Sequence, residues 1–208
     1  MVRWGEDYDT FRAVLIQAVS DTDGLILIYE NQPILAAFHS SSAMFTEASG
    51  AVWTQQRPYL QSVRSFESNV DVPNFYSTVE MSFDEFRNIA MASKPEASLP
   101  DEGIQYWISE LEYTDSGRLS GLNIGGVRVT GAEFRRIFGL RSTNVEFDFD
   151  GEGMTLTVRG YGHGVGMSQF GANTMAQIGL GFEAILTWYY TDVEFAYMGE
   201  VLGVDSDE

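Results

Sequence analysis

Apolar positions along this chain change their period several times, and each change predicts an element. Residues 9 to 20, with Phe11, Val14, Leu15, Ala18 and Val19 three or four apart, predict a short helix. Leu25 to Tyr29 and Ile34 to Phe38 are apolar runs separated by the turn formers Glu30-Asn31-Gln32-Pro33, which predicts a hairpin leading into His39. Residues 43 to 75 are poorly patterned and polar, with Pro58 and Pro73, and are expected to form a long surface excursion.

Regular patterning resumes at Phe75 to Met81, a predicted strand. Ser82-Phe83-Asp84-Glu85 then has the capping-box spacing that starts a helix through about Ala92. Residues 93 to 103 are rich in breakers and are expected to form a linker or loop between an N-terminal part, 1 to 92, and a C-terminal part, 104 to 198, with an acidic tail at 199 to 208. Strands are predicted over Ile104 to Tyr113 and Leu119 to Val129 around Thr114-Asp115-Ser116-Gly117-Arg118, with Gly125-Gly126 marking a bulge or second bend. A second capping box, Thr130 to Glu133, opens a helix to about Phe138. Val145 to Phe149 and Met154 to Arg159 form another hairpin, and helices follow near 167 to 178 and 182 to 190. Together these elements predict an α+β fold of antiparallel strands, hairpins and several short helices.

Composition narrows the function. The net charge of −18, with only 12 Lys and Arg in 208 residues, argues against nucleic acid and against an anionic membrane surface as partners. The chain lacks Cys, which removes disulfides and thiolate metal sites, and no apolar run is long enough to span a membrane. The opening residues carry no signal-peptide pattern.

Candidate chemistry concentrates around the two histidines. Four glycines, Gly160, Gly162, Gly164 and Gly166, alternate about His163, and seven of the 21 glycines lie between 160 and 181. Such a run either leaves backbone open to an extended ligand or makes a tight strand-to-helix turn. It lacks the spacing of a dinucleotide fingerprint and the Lys-Ser or Lys-Thr of a phosphate loop. His39 precedes Ser40, Ser41 and Ser42, with Thr46 and Glu47 just beyond. A serine nucleophile with His163 as a distant base, a metal held by His39, His163 and Glu47, and a hydroxyl-rich turn around a buried histidine are all compatible with these residue types.

The run Gly160-Tyr161-Gly162-His163-Gly164-Val165-Gly166-Met167-Ser168-Gln169-Phe170-Gly171-Ala172 resembles the signature of the stage II sporulation protein D family, the SpoIID/LytB domain. Phe38-His39-Ser40-Ser41-Ser42 with Thr46-Glu47 is similar to that family's His-Ser-x-Ser-Gly-Gly-x-Thr-Glu segment, with Ala43-Met44 in place of the Gly-Gly. Gly131, Glu133, Phe134 and Arg135 with Leu140-Arg141-Ser142 resemble the stretch before the main signature. The resemblance implies lytic transglycosylase action on peptide-free peptidoglycan strands during sporulation, by one carboxylic acid that leaves a 1,6-anhydro end. It implies an extracytoplasmic setting at the septum or cell wall and, as partners, glycan strands and other septal wall-remodelling proteins. The family's catalytic glutamate lies in a helical segment upstream of anything recognisable here, so the alternative is an inactive glycan-binding or scaffolding fragment. The residues carried over as substrate-binding are His39, Ser40, Ser42, Tyr161, His163, Ser168 and Gln169, with Glu47 as an auxiliary carboxylate and Trp53 and Tyr161 as stacking platforms. No metal or other cofactor is expected.

Overall fold

The computed structural model describes residues 5–202, and these fall into two compact units. The smaller unit comprises residues 5–35 and 192–202. It holds α1 (Tyr8–Asp21), β1 (Leu25–Tyr29) and the short β2 (Gln32–Pro33), with β11 (Glu194–Tyr197) and α7 (Met198–Leu202) from the far end of the chain. β1 is the central strand, antiparallel to both β11 and β2. The turn from β1 to β2 is tighter than the sequence suggests: Glu30 and Asn31 take φ of 49° and 59°, and Gln32 pairs with Tyr29. Pro33 therefore sits opposite Ile28 in the ladder, and the strand expected over Ile34 to Phe38 does not form. The acidic end beyond residue 202 lies outside the described residues.

The larger unit, Ala36–Thr191, begins with β3 (Phe38–His39) and the single-turn α2 (Ser49–Val52). Then come β4 (Tyr76–Ser82), α3 (Phe83–Ser93), β5 (Ile108–Tyr113), β6 (Leu119–Ile124), β7 (Val127–Thr130) and α4 (Gly131–Ile137). β8 (Val145–Phe149), β9 (Gly153–Arg159), β10 (Met167–Ser168), α5 (Gln169–Gln177) and α6 (Phe182–Tyr189) complete it. Two antiparallel three-stranded sheets, β4-β9-β8 and β5-β6-β7, share one apolar core with α3 and α4. The fold class is α+β, as the patterning predicts.

That core explains why the local signals hold. Ser82 and Thr130 each accept from the backbone N–H of the third helical residue, while Glu85 and Glu133 reach back to the cap, so both helices start where the capping boxes place them. Their apolar faces then meet: Phe86 stacks on Phe138 at 4.8 Å and lies nearly parallel to Trp107 at 6.1 Å. Lys94 donates to Glu133 at 3.0 Å, and the Thr130 backbone N–H, with Lys94, pulls that carboxyl down to about 2.

Residues 93 to 103 contribute to the core, where Ala97 and Leu99 join Phe86 and Leu156, and the Trp107 indole donates to the Pro100 carbonyl. One stretch differs from the expectation. Residues 43 to 75 are not a surface excursion. Tyr59, Leu60, Val72 and Phe75 are buried, and so are Thr46, Glu47, Ser49, Ser65 and Glu67. Backbone bonds from Thr46 to Val63, Ser49 to Leu60 and Ser65 to Met44 fold the segment on itself, at 2.8, 3.0 and 2.7 Å. Buried Thr46, Glu47, Ser49 and Ser65 find hydrogen-bond partners inside the protein, which a reading of polarity as exposure misses.

Candidate functional site

The two histidine segments, more than a hundred residues apart in sequence, lie side by side. β3 pairs in parallel with β10, matching Phe38 to Met167 and His39 to Ser168. Ser41 and Tyr161 exchange backbone bonds of 3.1 and 2.9 Å, and the Glu47 N–H donates to the Gly164 carbonyl at 2.7 Å. The segments thus form one continuous floor and do not face each other across an opening.

The alternating glycines serve this closeness. Gly164 has φ of +85°, and a Cβ there would lie 2.5 Å from the Arg118 guanidinium carbon. At Gly162, φ +119°, a Cβ would come within 2.7 Å of the His39 Cβ. An L side chain is therefore excluded twice at each position, by backbone conformation and by space. The glycine run is a packing device against residues 37 to 42 and Arg118, so its uncovered backbone meets protein at these positions.

His39 is buried and its tautomer follows from its partners. The Val165 carbonyl, 3.2 Å from Nδ1, can only accept, so Nδ1 carries the proton and Nε2 accepts the Ser42 hydroxyl at 2.6 Å. Burial, with Arg118 and His163 nearby, pushes the imidazole down to about 3. His163 is half-buried and accepts the Val165 N–H at Nδ1, 3.0 Å. Burial first, then the Arg135 charge, lowers its pKa as well. Both rings are neutral at ordinary pH.

Beneath them are two buried carboxylates. Glu47 accepts from the Ala48 N–H at 3.0 Å through Oε1, and from the Thr114 and Ser116 hydroxyls, both at 2.6 Å, through Oε2. Glu67 Oε1 accepts from the Ser42 N–H and the Ser168 hydroxyl, each at 2.5 Å, and so ties the first histidine segment to the cap of α5.

A cavity of about 240 Å³ opens beside Glu47 and His163. Arg118, Arg135, Ser120, Thr114, Thr130 and Thr143 also line it. Arg118 is 1% exposed, and burial lowers its guanidinium to about 10, partly offset by Glu47. It therefore remains a cation at neutral pH.

The remaining sequence candidates are dispersed around this centre. Ser42 and Ser168 are buried within the hydrogen-bonded floor, Ser40 is partly exposed, and Gln169 and Tyr161 reach the surface. Arg141 lies over the Tyr161 ring at 4.5 Å, and the Trp53 ring packs 5.5 Å from His163. Sequence reasoning missed Arg118 and Glu67. Arg118 closes the 114-to-118 turn, which reads as an ordinary hairpin, and Glu67 sits in the unpatterned stretch; no local signal marks either. Among the described residues no cluster of three or more His, Asp or Glu side chains could hold a metal ion.

No protein-family model matches the chain. It is 36% identical over 193 residues to stage II sporulation protein D of Bacillus amyloliquefaciens and 35% identical over 194 residues to that of Bacillus subtilis (strain 168). Each alignment covers 93% of this chain and 54% of the relative, so the chain spans about half the length of these curated relatives. The amidase enhancer of Bacillus subtilis (strain 168) is 26% identical over 233 residues, covering 84% of this chain and 31% of that protein. With 93% of its residues aligned at 36% identity, this chain is homologous to the stage II sporulation protein D family.

Proposed function

We propose that this domain recognises peptidoglycan glycan strands in the cell-wall remodelling of sporulation, as part of a protein of lytic transglycosylase type. The observation that carries the reading is the cavity beside Glu47 and His163, bordered by both histidine segments and lined by hydroxyl, imidazole and guanidinium groups. Sugars present many neutral donors and acceptors, and such a lining matches them. His163 presents a neutral ring at the cavity wall, its nitrogens engaged by the Val165 N–H and the Phe38 backbone, while exposed Tyr161 and half-buried Trp53 offer ring faces nearby. Glu47 is the carboxylate of the lining.

A second reading, in which the domain holds the strand without cutting it, is favoured by the state of Glu47. Both of its oxygens already accept hydrogen bonds, and it is 3% exposed, which leaves little room for it to deliver a proton to a glycosidic oxygen.

One experiment addresses both. Purified chain is incubated with peptide-free glycan strands, with binding followed by calorimetry and 1,6-anhydro ends by mass spectrometry. Saturable binding is expected, weakened about tenfold in His163→Ala through loss of the ring's packing at the cavity wall. Absence of binding by a folded chain would refute the proposal. Binding without 1,6-anhydro products would select the second reading, and products lost in Glu47→Gln would select the first.

A further inference from the structure

Positive charge is scarce in this chain and unevenly placed. Of the 12 Lys and Arg, Arg87, Lys94, Arg128 and Arg159 are paired with carboxylates. Arg135, Arg136 and Arg141 are in no ion pair among the described residues, yet all three line one open groove of about 390 Å³ at the end of α4. The rest of its lining is Ala132, Gly139, Leu140 and Tyr161, so no carboxylate faces the three cations. Guanidinium groups gathered without an acid repel one another, which makes the groove a local exception in a chain of net charge −18.

Helix chemistry explains one of the three. Arginines in the last turn complement exposed helix carbonyls, and Arg135 stays local in this way, donating from Nε to the Leu140 carbonyl at 3.2 Å. Arg136 is exposed and has no such bond among the described residues. Arg141 holds its guanidinium 4.5 Å from the centre of the Tyr161 ring, a contact that fixes the group without using an N–H. Gly139, where an added Cβ would meet nothing within 4 Å, keeps the space beside them open.

The lining also restricts the ligand. A single anion would leave the cations facing each other, so the ligand must bring several negative charges. It must also do without apolar anchors, because Leu140 is 5% exposed and Arg141 already overlies the Tyr161 ring. A protein segment draws most of its affinity from aromatic or aliphatic side chains in pockets, and this groove offers none. A chain of phosphodiesters carries a charge at every repeat and presents paired oxygens to a guanidinium fork.

We propose that the groove at the end of α4 binds a linear polymer of sugar or polyol units joined by phosphodiesters, with Arg136 and Arg141 contacting successive phosphates and Arg135 contributing at the edge. The site goes beyond the glycan reading, since neither Arg136 nor Arg141 lines the cavity beside Glu47 and His163.

The test is calorimetry on the full chain at low salt. The ligands are a short glycerol-phosphate oligomer, the same polyol without phosphate, inorganic phosphate, a glutamate oligomer and phosphatidylglycerol vesicles. The phosphate oligomer should bind saturably and more weakly as salt is added, and the bare polyol should not bind. Arg136→Gln, on an exposed side chain, should weaken binding about two- to fivefold, the range for one exposed charge pair, and Arg136→Gln combined with Arg141→Gln about tenfold or more. Arg12→Gln removes the same charge from α1 and should leave the affinity unchanged. Failure of the oligomer to bind, full affinity in the double variant, or equal weakening in Arg12→Gln overturns the proposal. So does inorganic phosphate binding as tightly as the oligomer, which marks a single-anion site, or glutamate oligomers binding more tightly, which marks an acidic protein partner. Binding to vesicles alone overturns it in favour of a membrane surface.

Discussion

Replacing His39 should change how stability responds to acid, and the size of the change follows from the ring's surroundings. In the folded chain the imidazole is held down to about 3 by burial and by Arg118 and His163, against 6.5 for an unhindered ring. As pH falls below 6.5 the unfolded chain therefore takes up a proton that the folded chain refuses. Stability present above pH 6.5 is lost at about 1.4 kcal/mol per pH unit until the folded ring titrates near 3. The loss amounts to about 2 kcal/mol by pH 5 and about 5 kcal/mol over the whole span. Glu133, held down to about 2 against 4.5, loses its stabilisation only as pH drops below 4.5, so the window from 7.5 to 5 belongs to the histidines. Urea unfolding followed by tryptophan fluorescence across that window, with the slope against urea held as a control, gives the free energies directly. His39→Gln should be less stable than wild type at pH 7.5 and should lose about 2 kcal/mol less on going to pH 5, keeping only the part due to His163. Equal acid losses in the two proteins would show that the ring is not held neutral and would remove the tautomer assigned from Val165 and Ser42.

Gly164→Ala should destabilise the chain by about 2–5 kcal/mol, combining the left-handed backbone with collision against Arg118. Gly139→Ala, at φ +64° with open space around it, should lose only about 1–2 kcal/mol in the same urea assay, and equal losses would refute the packing role of the glycine run. Glu67→Ala should lose about 2–4 kcal/mol, because it strands the Ser42 N–H and the Ser168 hydroxyl inside the protein. A loss under about 1 kcal/mol would mean that Glu67 does not tie the two segments.

Elements set by neighbouring residues were legible in the sequence. The helices after Ser82 and Thr130 announce themselves because cap and reciprocal glutamate are three residues apart. The hairpin of β8 and β9 does so because Asp150 accepts from the Glu152 and Gly153 N–H groups within its own turn. What stayed hidden depends on distant partners. Nothing near Phe38 indicates Met167 as its strand neighbour, and the pairing is only two residues long on each side. The stretch from 43 to 75 looked exposed because its hydroxyl and carboxyl groups are polar, yet those groups bond to one another and to backbone in the interior. His39, His163 and Glu47 were recognisable as a group, whereas Arg118 took its place only when the fold brought its turn against Gly164.

Arg118 then changes the meaning of the histidines that first drew attention. Burial first, then its charge, lowers the His39 imidazole, and burial followed by Arg135 and Arg118 lowers His163, so near neutral pH the rings bring no charge to the site. The positive charge facing the cavity is supplied by guanidinium groups alone, and these do not titrate in the range where histidine ordinarily does. The glycine run makes this arrangement possible by leaving backbone where side chains would otherwise displace the cation, so the motif's glycines position the charge and its histidine borders the space that the charge addresses.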